Sequence, residues 1–125
     1  MSMDVSRVLK TLGNQRRLEI LAWLADPVAN FPPQRDGDLV DDGVCLVFIA
    51  EKAGISQPSA SRHMELLAAA GLVVTKPVGR WTFYRRDKPG IAAALGVITH
   101  SLTQGGDRWP TATSTPSRST TGSGT

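Results

Sequence analysis

Apolar residues recur with the helical period over most of the first 70 positions of the chain. This pattern predicts four helices, at about residues 5–12, 14–24, 45–53 and 56–70. Glycines follow three of these stripes, and Asn14 and Ser56 stand where a side-chain oxygen caps the first turn of a helix. The pattern therefore predicts a largely helical N-terminal half, interrupted by a long loop over residues 26–43 that is rich in proline, glycine and aspartate.

The period changes from 3.6 to 2 after Gly71. Residues 72–78 and 81–86 predict two strands joined through Gly79 and Arg80 as a β-hairpin. Pro77 indicates that the first strand either lies at an edge or ends early. A last helical stripe runs from about residue 91 to 102. The predicted order is α-α-α-α-β-β-α, a mainly helical fold with one hairpin.

Composition limits the chain to a single folded unit. The 125 residues are too few for two separate cores, and residues 104–125 are dominated by Ser, Thr, Gly and Pro. We therefore expect a domain over residues 1–103 and a disordered tail over 104–125. No apolar run reaches the roughly 20 residues of a membrane span, and no secretory leader is visible, so we expect a cytoplasmic protein.

Charge and cysteine content limit the kinds of partner and of metal site that the chain can have. The net charge is only +3, but five of the eleven acids lie between residues 26 and 42, so the remainder of the chain is strongly basic. This distribution favours a polyanionic partner. Cys45 is the only cysteine, which excludes an internal disulfide and a zinc site built from cysteine pairs.

The segment from Ile49 to Val73, IAEKAGISQPSASRHMELLAAAGLV, combines a short helix, a tight turn at Gly54 and a longer helix. Small and apolar residues suit a close helix crossing, and the second helix carries outward groups that hydrogen-bond to base edges or phosphates. This pattern is typical of a helix-turn-helix, whose second helix fits the DNA major groove. An ordinary pair of antiparallel helices is the alternative.

The sequence resembles the ArsR/SmtB family of winged helix-turn-helix regulators from about Val5 to Leu102. The resemblance lies in LGNQRRLEIL near the start, the helix-turn-helix segment in the middle and VGRWTFYRR in the hairpin. It implies a homodimer built from the first and last helices through Val5, Val8, Leu9, Ile91, Leu95, Ile98 and Leu102. It also implies that the DNA is faced by Gln57, Ser59, Ser61, Arg62 and His63.

In this resemblance the hairpin is the wing, and its basic residues suit phosphate contacts: Lys76, Arg80, Arg85 and Arg86. For the aromatic residues Trp81, Phe83 and Tyr84, we favour anchoring of the wing over base stacking. Arg16 and Arg17 admit two interpretations equally, a phosphate contact or an ion pair within the chain.

The chemistry of effector sensing is not evident from the sequence. Many metal-sensing relatives carry a cysteine pair, whereas the corresponding stretch here, DDGVCLVFI, contains Cys45 alone, which we interpret as a buried apolar residue. We expect no cofactor, although a metal ion remains open. Its weak candidate ligands are Asp36, Asp38, Asp41, Asp42 and His100. A solvated acidic loop is the favoured interpretation of the aspartates.

We therefore predict a sequence-specific regulator of transcription, a repressor rather than an activator, that binds double-stranded operator DNA as a homodimer. The alternatives are a winged-helix subunit that depends on a partner sensor or co-regulator protein, and a metal-responsive activator. No nucleophile stands at a plausible spacing from a base, and no glycine-rich phosphate loop occurs, so we do not expect an enzyme.

Overall fold

Residues 3–35 and 37–104, which the computed structural model describes, form six helices and three strands. The order is α1 Val5–Leu12, α2 Gln15–Ala25, α3 Pro27–Asn30, β1 Val44–Cys45, α4 Leu46–Ala53, α5 Gln57–Ala69, β2 Val73–Val78, β3 Trp81–Arg86 and α6 Lys88–Thr103. The predicted tail beyond Gln104, and Asp36 among the candidate ligands, lie outside the described residues.

The predicted helix starts are confirmed at the level of hydrogen bonds. The Asn14 side chain accepts from the backbone N–H of Arg17, and the Ser56 hydroxyl accepts from that of Ser59. These bonds satisfy donors that have no partner inside the helix. Gly54 ends α4 in the left-handed region at φ 68°, and this reversal starts the turn into α5.

Two elements differ from the prediction. The loop over residues 26–43 contains the one-turn helix α3, whose first turn is capped by the Asp26 side chain. The third predicted helix begins at Leu46 rather than Cys45, because Val44 and Cys45 form β1 and pair with Tyr84 and Phe83 of β3. A strand of two residues is too short to show an alternating pattern in the sequence.

The sheet is antiparallel with the order β1-β3-β2, so β2 is an edge strand, as Pro77 predicts. The main core forms where α1, α2, α4, α5 and the sheet converge. Its fully buried side chains include Ile20, Ile49, Met64, Leu67 and Leu72. This packing holds α4 and α5 as a rigid pair with the hairpin beside them.

Helix α1 packs against α6, but only some of the apolar residues of each helix are buried in this contact. Val8 and Ala94 are buried within the chain, whereas Leu9, Leu95 and Leu102 are 46%, 58% and 71% exposed. The prediction that Val8 lies in a dimer interface is wrong, because its own core already covers it completely. Across the described residues, we find no helix that is both long and apolar enough to span a membrane.

Candidate nucleic-acid interface

Helix α5 has one buried face and one open face. Ala60, Met64 and Leu67 are fully buried against the core. At about 100° per residue, Arg62 lies opposite that face, with Gln57 and Ser61 on one flank and Ser59 and His63 on the other. The open face is therefore polar at the N-terminal half of the helix, which is the end that inserts first into a groove.

The five predicted DNA-facing residues are not equally free. Gln57, Ser59 and Arg62 are exposed, while Ser61 and His63 are half-buried. The Ser59 hydroxyl accepts a hydrogen bond from the Ser56 hydroxyl at 3.0 Å, within the N-terminal cap. The Arg62 guanidinium lies 3.5 Å from the Glu65 carboxylate, but both side chains are more than half exposed, so the pair is weak and open to competition from phosphate.

His63 is held by α2. Arg17 Nη1 donates to His63 Nδ1 at 3.1 Å, and Arg17 Nε donates to the carbonyl of Thr11 at 2.7 Å. Arginine has no acceptor, so Nδ1 of a neutral imidazole accepts this bond. Burial, and then the charges of Arg17 and Arg16, lower the pKa of His63 below its ordinary 6.5. Arg17 thus ties α2 to the middle of α5, a role that nothing in the local sequence around Arg17 indicates.

We expect His63 to make stability depend on pH. Its folded pKa is lowered, so the folded state binds this proton less readily than the unfolded chain, and the stabilisation is lost as the pH falls below about 6.5. His63→Gln keeps an acceptor without a titrating group. Chemical denaturation at pH 7.5 and 5.5 should show a smaller loss for His63→Gln than for the original chain. An equal loss of stability in both proteins would show that His63 is not the source of the pH dependence, because both proteins have the same carboxylates.

Arg16 forms an ion pair with Glu19 at 3.2 Å, so both arginines at the start of α2 have intramolecular partners. Of the two interpretations that the sequence left open, the structure favours a role within the chain.

The predicted wing residues make different contacts at different positions along the hairpin. Lys76 forms an ion pair with Asp42, and Arg80 at the tip lies with its guanidinium carbon 5.4 Å from the centre of the Trp81 ring. The Lys76 ammonium lowers the pKa of Asp42 through that hydrogen bond. Arg85 is exposed at the base of β3. Arg86 is half-buried and donates from Nη1 to the carbonyl of Leu21 at 3.0 Å, so the fold holds part of its guanidinium. The predicted phosphate contact of Arg86 stays a prediction.

The aromatic residues of β3 anchor the wing. Phe83 and Tyr84 are buried and Trp81 is half-buried, so their rings are not presented to bases. Burial, followed by the charge of Glu65, raises the pKa of the Tyr84 phenol.

Two carboxylates of the acidic loop, those of Asp38 and Asp42, accept hydrogen bonds from the loop's own backbone. One Asp38 oxygen accepts from the N–H groups of Val40 and Asp41, and an Asp42 oxygen accepts from that of Asp38. Nowhere among residues 3–35 and 37–104 do three or more His, Cys, Asp or Glu side chains gather as a metal site. Asp38, Asp41, Asp42 and His100 are therefore not brought together, and the buried Cys45 lies in β1.

These features define the class: a helix-turn-helix whose second helix presents polar groups, followed by a basic β-hairpin wing. No family model matches the chain. It is 37% identical over 89 residues to the uncharacterized HTH-type transcriptional regulator YbzH of Bacillus subtilis. The aligned residues cover 71% of this chain and 89% of that protein. It is also 32% identical over 78 residues to the putative arsenical resistance operon repressor ArsR2 of Halobacterium salinarum, over 62% of this chain and 55% of that protein.

Solved structures agree with this class. A possible transcriptional regulatory protein from Mycobacterium bovis superposes with a TM-score of 0.53 and 28% identity, covering 78% of this chain and 89% of that one. The solution structure of Mb0332 from the same organism is a homodimeric winged helix-turn-helix DNA-binding domain, described as a possible ArsR-family regulator. It is 26% identical, with a TM-score of 0.53 over 79% of each chain. The chain belongs to the ArsR family and is a DNA-binding transcriptional regulator with the winged helix-turn-helix fold.

Proposed function

We propose that this regulator is a cytoplasmic homodimer that represses transcription by binding a double-stranded operator, with α5 of each subunit in the major groove. The carrying observation is the polar N-terminal half of α5, which stands opposite a fully buried apolar face. A helix held this rigidly presents its polar groups in one geometry, which base recognition requires.

The residues of α5 have different proposed roles. Arg62 and Gln57 reach base edges, because both are exposed and their side chains are long enough to form paired hydrogen bonds with a guanine or an adenine. Ser61 and Ser59 contact base edges or phosphates on the two flanks. His63, tied to Arg17, positions the helix and offers its remaining nitrogen to the DNA.

The wing residues supply affinity rather than specificity. Arg80 at the tip contacts a phosphate after its guanidinium moves away from the Trp81 ring. Lys76 contacts a phosphate when its ion pair with Asp42 is replaced by one with the DNA. Arg85, exposed at the base of β3, is a further phosphate contact. Each contact of this type releases condensed counterions and makes binding depend on salt.

The proposed dimer uses the exposed apolar side chains of α1 and α6. Leu9, Leu95 and Leu102 are large, apolar and open to solvent on two helices that pack against each other. The homodimeric M. bovis domain supports the same assembly here. Val5, Ile91 and Ile98 are half-buried and complete the rim of this surface.

The experiment that tests the proposal separates base recognition from backbone binding. Arg62→Ala and Gln57→Ala should each weaken binding to the operator by about 1–3 kcal/mol and should change binding to random DNA much less. The measurement is a fluorescence anisotropy titration of each variant on both DNAs at several salt concentrations.

Arg80→Ala is the matched control in that experiment. It should weaken binding to both DNAs similarly and reduce the log–log slope against salt by about 1. Equal losses on operator and random DNA for both α5 variants would show that α5 does not read the bases, and the proposed docking would be wrong.

We further propose that operator binding needs no metal cofactor. In the described part of the chain, the Asp38 and Asp42 carboxylates accept from backbone donors, and Cys45 is buried in the sheet. Operator affinity should therefore be unchanged by EDTA. A loss of affinity with EDTA that Zn²⁺ or another divalent ion restores would contradict this.

A further inference from the structure

A cavity of about 290 Å³ lies between the loop after α3, the start of α4 and the wing strand β3. Neither DNA binding nor dimerisation, as proposed above, uses it. Its walls are aromatic and apolar: Phe48 and Val47 of α4, and Trp81 and Phe83 of β3. Cys45 pairs with Phe83 across the sheet, and such partners project on the same face, so its thiol also borders the cavity.

The cavity is formed before any ligand arrives. Gln34, which also lines it, donates from Nε2 to the carbonyls of Gly37 and Gly43 at 3.2 and 2.9 Å. Its Oε1 accepts from the backbone N–H of Cys45 at 2.6 Å. Gly37 approaches Phe83 so closely that an added Cβ would lie 2.8 Å from the ring. The loop is thus fastened to β1 and β3, and a ligand entering here has little ordering to impose.

The charge at the cavity is positive. Arg35 is exposed, and among the described residues that line the cavity it is the only charged one. Within residues 3–35 and 37–104, no carboxylate lies within ion-pair distance of Arg35. Arg80 adds a second cation near Trp81, and Asp42 of the following loop is already paired with Lys76.

We propose that this cavity binds a small planar aromatic carboxylate. The rings would lie among Phe48, Trp81 and Phe83, where stacked or edge-to-face contacts are favourable, and the carboxylate would face Arg35. The charge of Arg35 disfavours an aromatic cation. The volume suits one or two fused rings and is near the lower limit of small-molecule sites.

The test is isothermal titration calorimetry of the full chain, without DNA, using 2-naphthoate and its neutral analogue 2-naphthalenemethanol. We expect 2-naphthoate to bind with a Kd of about 1 mM or lower and about fivefold more tightly than the alcohol, since the ion pair is partly exposed to water. Arg35→Gln should remove this preference, whereas Arg7→Gln, an exposed arginine on α1, should keep it.

Val47→Phe fills the cavity from its wall and should weaken both ligands about tenfold or more, with its fold verified by thermal melting. No binding of 2-naphthoate at millimolar concentration would overturn the inference. Retention of full affinity by a folded Val47→Phe variant would do so as well, because the ligand would then bind elsewhere.

A consequence for regulation rests on the proposed function. The cavity connects α4, which packs against the DNA-binding helix α5, to the wing. A ligand and an operator that prefer different arrangements of these elements weaken each other's binding, and we expect a change of about fivefold or more in operator affinity at saturation. No change at a saturating ligand concentration would overturn this regulatory role. Failure of the ligand-free protein to bind any operator would instead contradict the proposed function.

Discussion

Leu95→Glu is expected to convert the regulator from a dimer to a monomer and to abolish tight operator binding. Leu95 is 58% exposed in the single chain and lies on the apolar stripe of α6. A dimer that covers this surface would bury two unpaired carboxylates, each at a cost of several kcal/mol. Sedimentation equilibrium should give the 13.4 kDa of one chain instead of twice that mass. Operator affinity should fall by about 100-fold or more, because two half-sites are no longer bound together.

Ala93→Glu is the matched control for this variant. Ala93 is exposed on the opposite face of α6, so the same charge is added without entering the stripe. Ile98→Glu is a poorer test, because Ile98 packs partly against the core of its own chain and its loss would also affect folding. A Leu95→Glu protein that remains dimeric and binds the operator would remove α6 from the interface.

Gly90→Ala is expected to lower stability more than any other small substitution in α6. Gly90 lies in the first turn of the helix, and an added Cβ would stand 1.8 Å from the carbonyl oxygen of Gly71, a backbone atom that no rotamer change moves. The helix must shift away from the turn between α5 and β2. We expect a loss of about 2–3 kcal/mol, which is a fall of roughly 10–20 °C in Tm for a domain of this size.

Gly96→Ala provides an internal control in the same helix. An added Cβ at Gly96 meets nothing within 4 Å, so the gain in helix propensity should raise stability by about 0.5–1 kcal/mol. Thermal melting of both variants followed by circular dichroism checks the pair. An unchanged Tm for Gly90→Ala would show that α6 is not seated on the Gly71 turn.

The sequence by itself determined the local elements of this regulator. The helices α1, α2, α4 and α5 and the hairpin were predictable because helical and strand periods arise from contacts a few residues apart. The caps at Asn14 and Ser56 were predictable for the same reason, since each bond spans three residues. The helix-turn-helix pattern also identified α5 as the helix that presents Gln57, Ser59 and Arg62.

The tertiary structure decided what depends on distant parts of the chain. Arg17 and His63 are 46 positions apart, and Arg86 and Leu21 are 65 apart, so no local pattern distinguishes these residues from free cations. Strand β1 exists because β3 offers unpaired backbone groups beside it, not because two residues favour a strand. Val8 and Leu9 are neighbours on one predicted apolar stripe, yet packing buries Val8 and leaves Leu9 exposed. The reason is that α1 turns only part of its apolar stripe toward the core of its own chain.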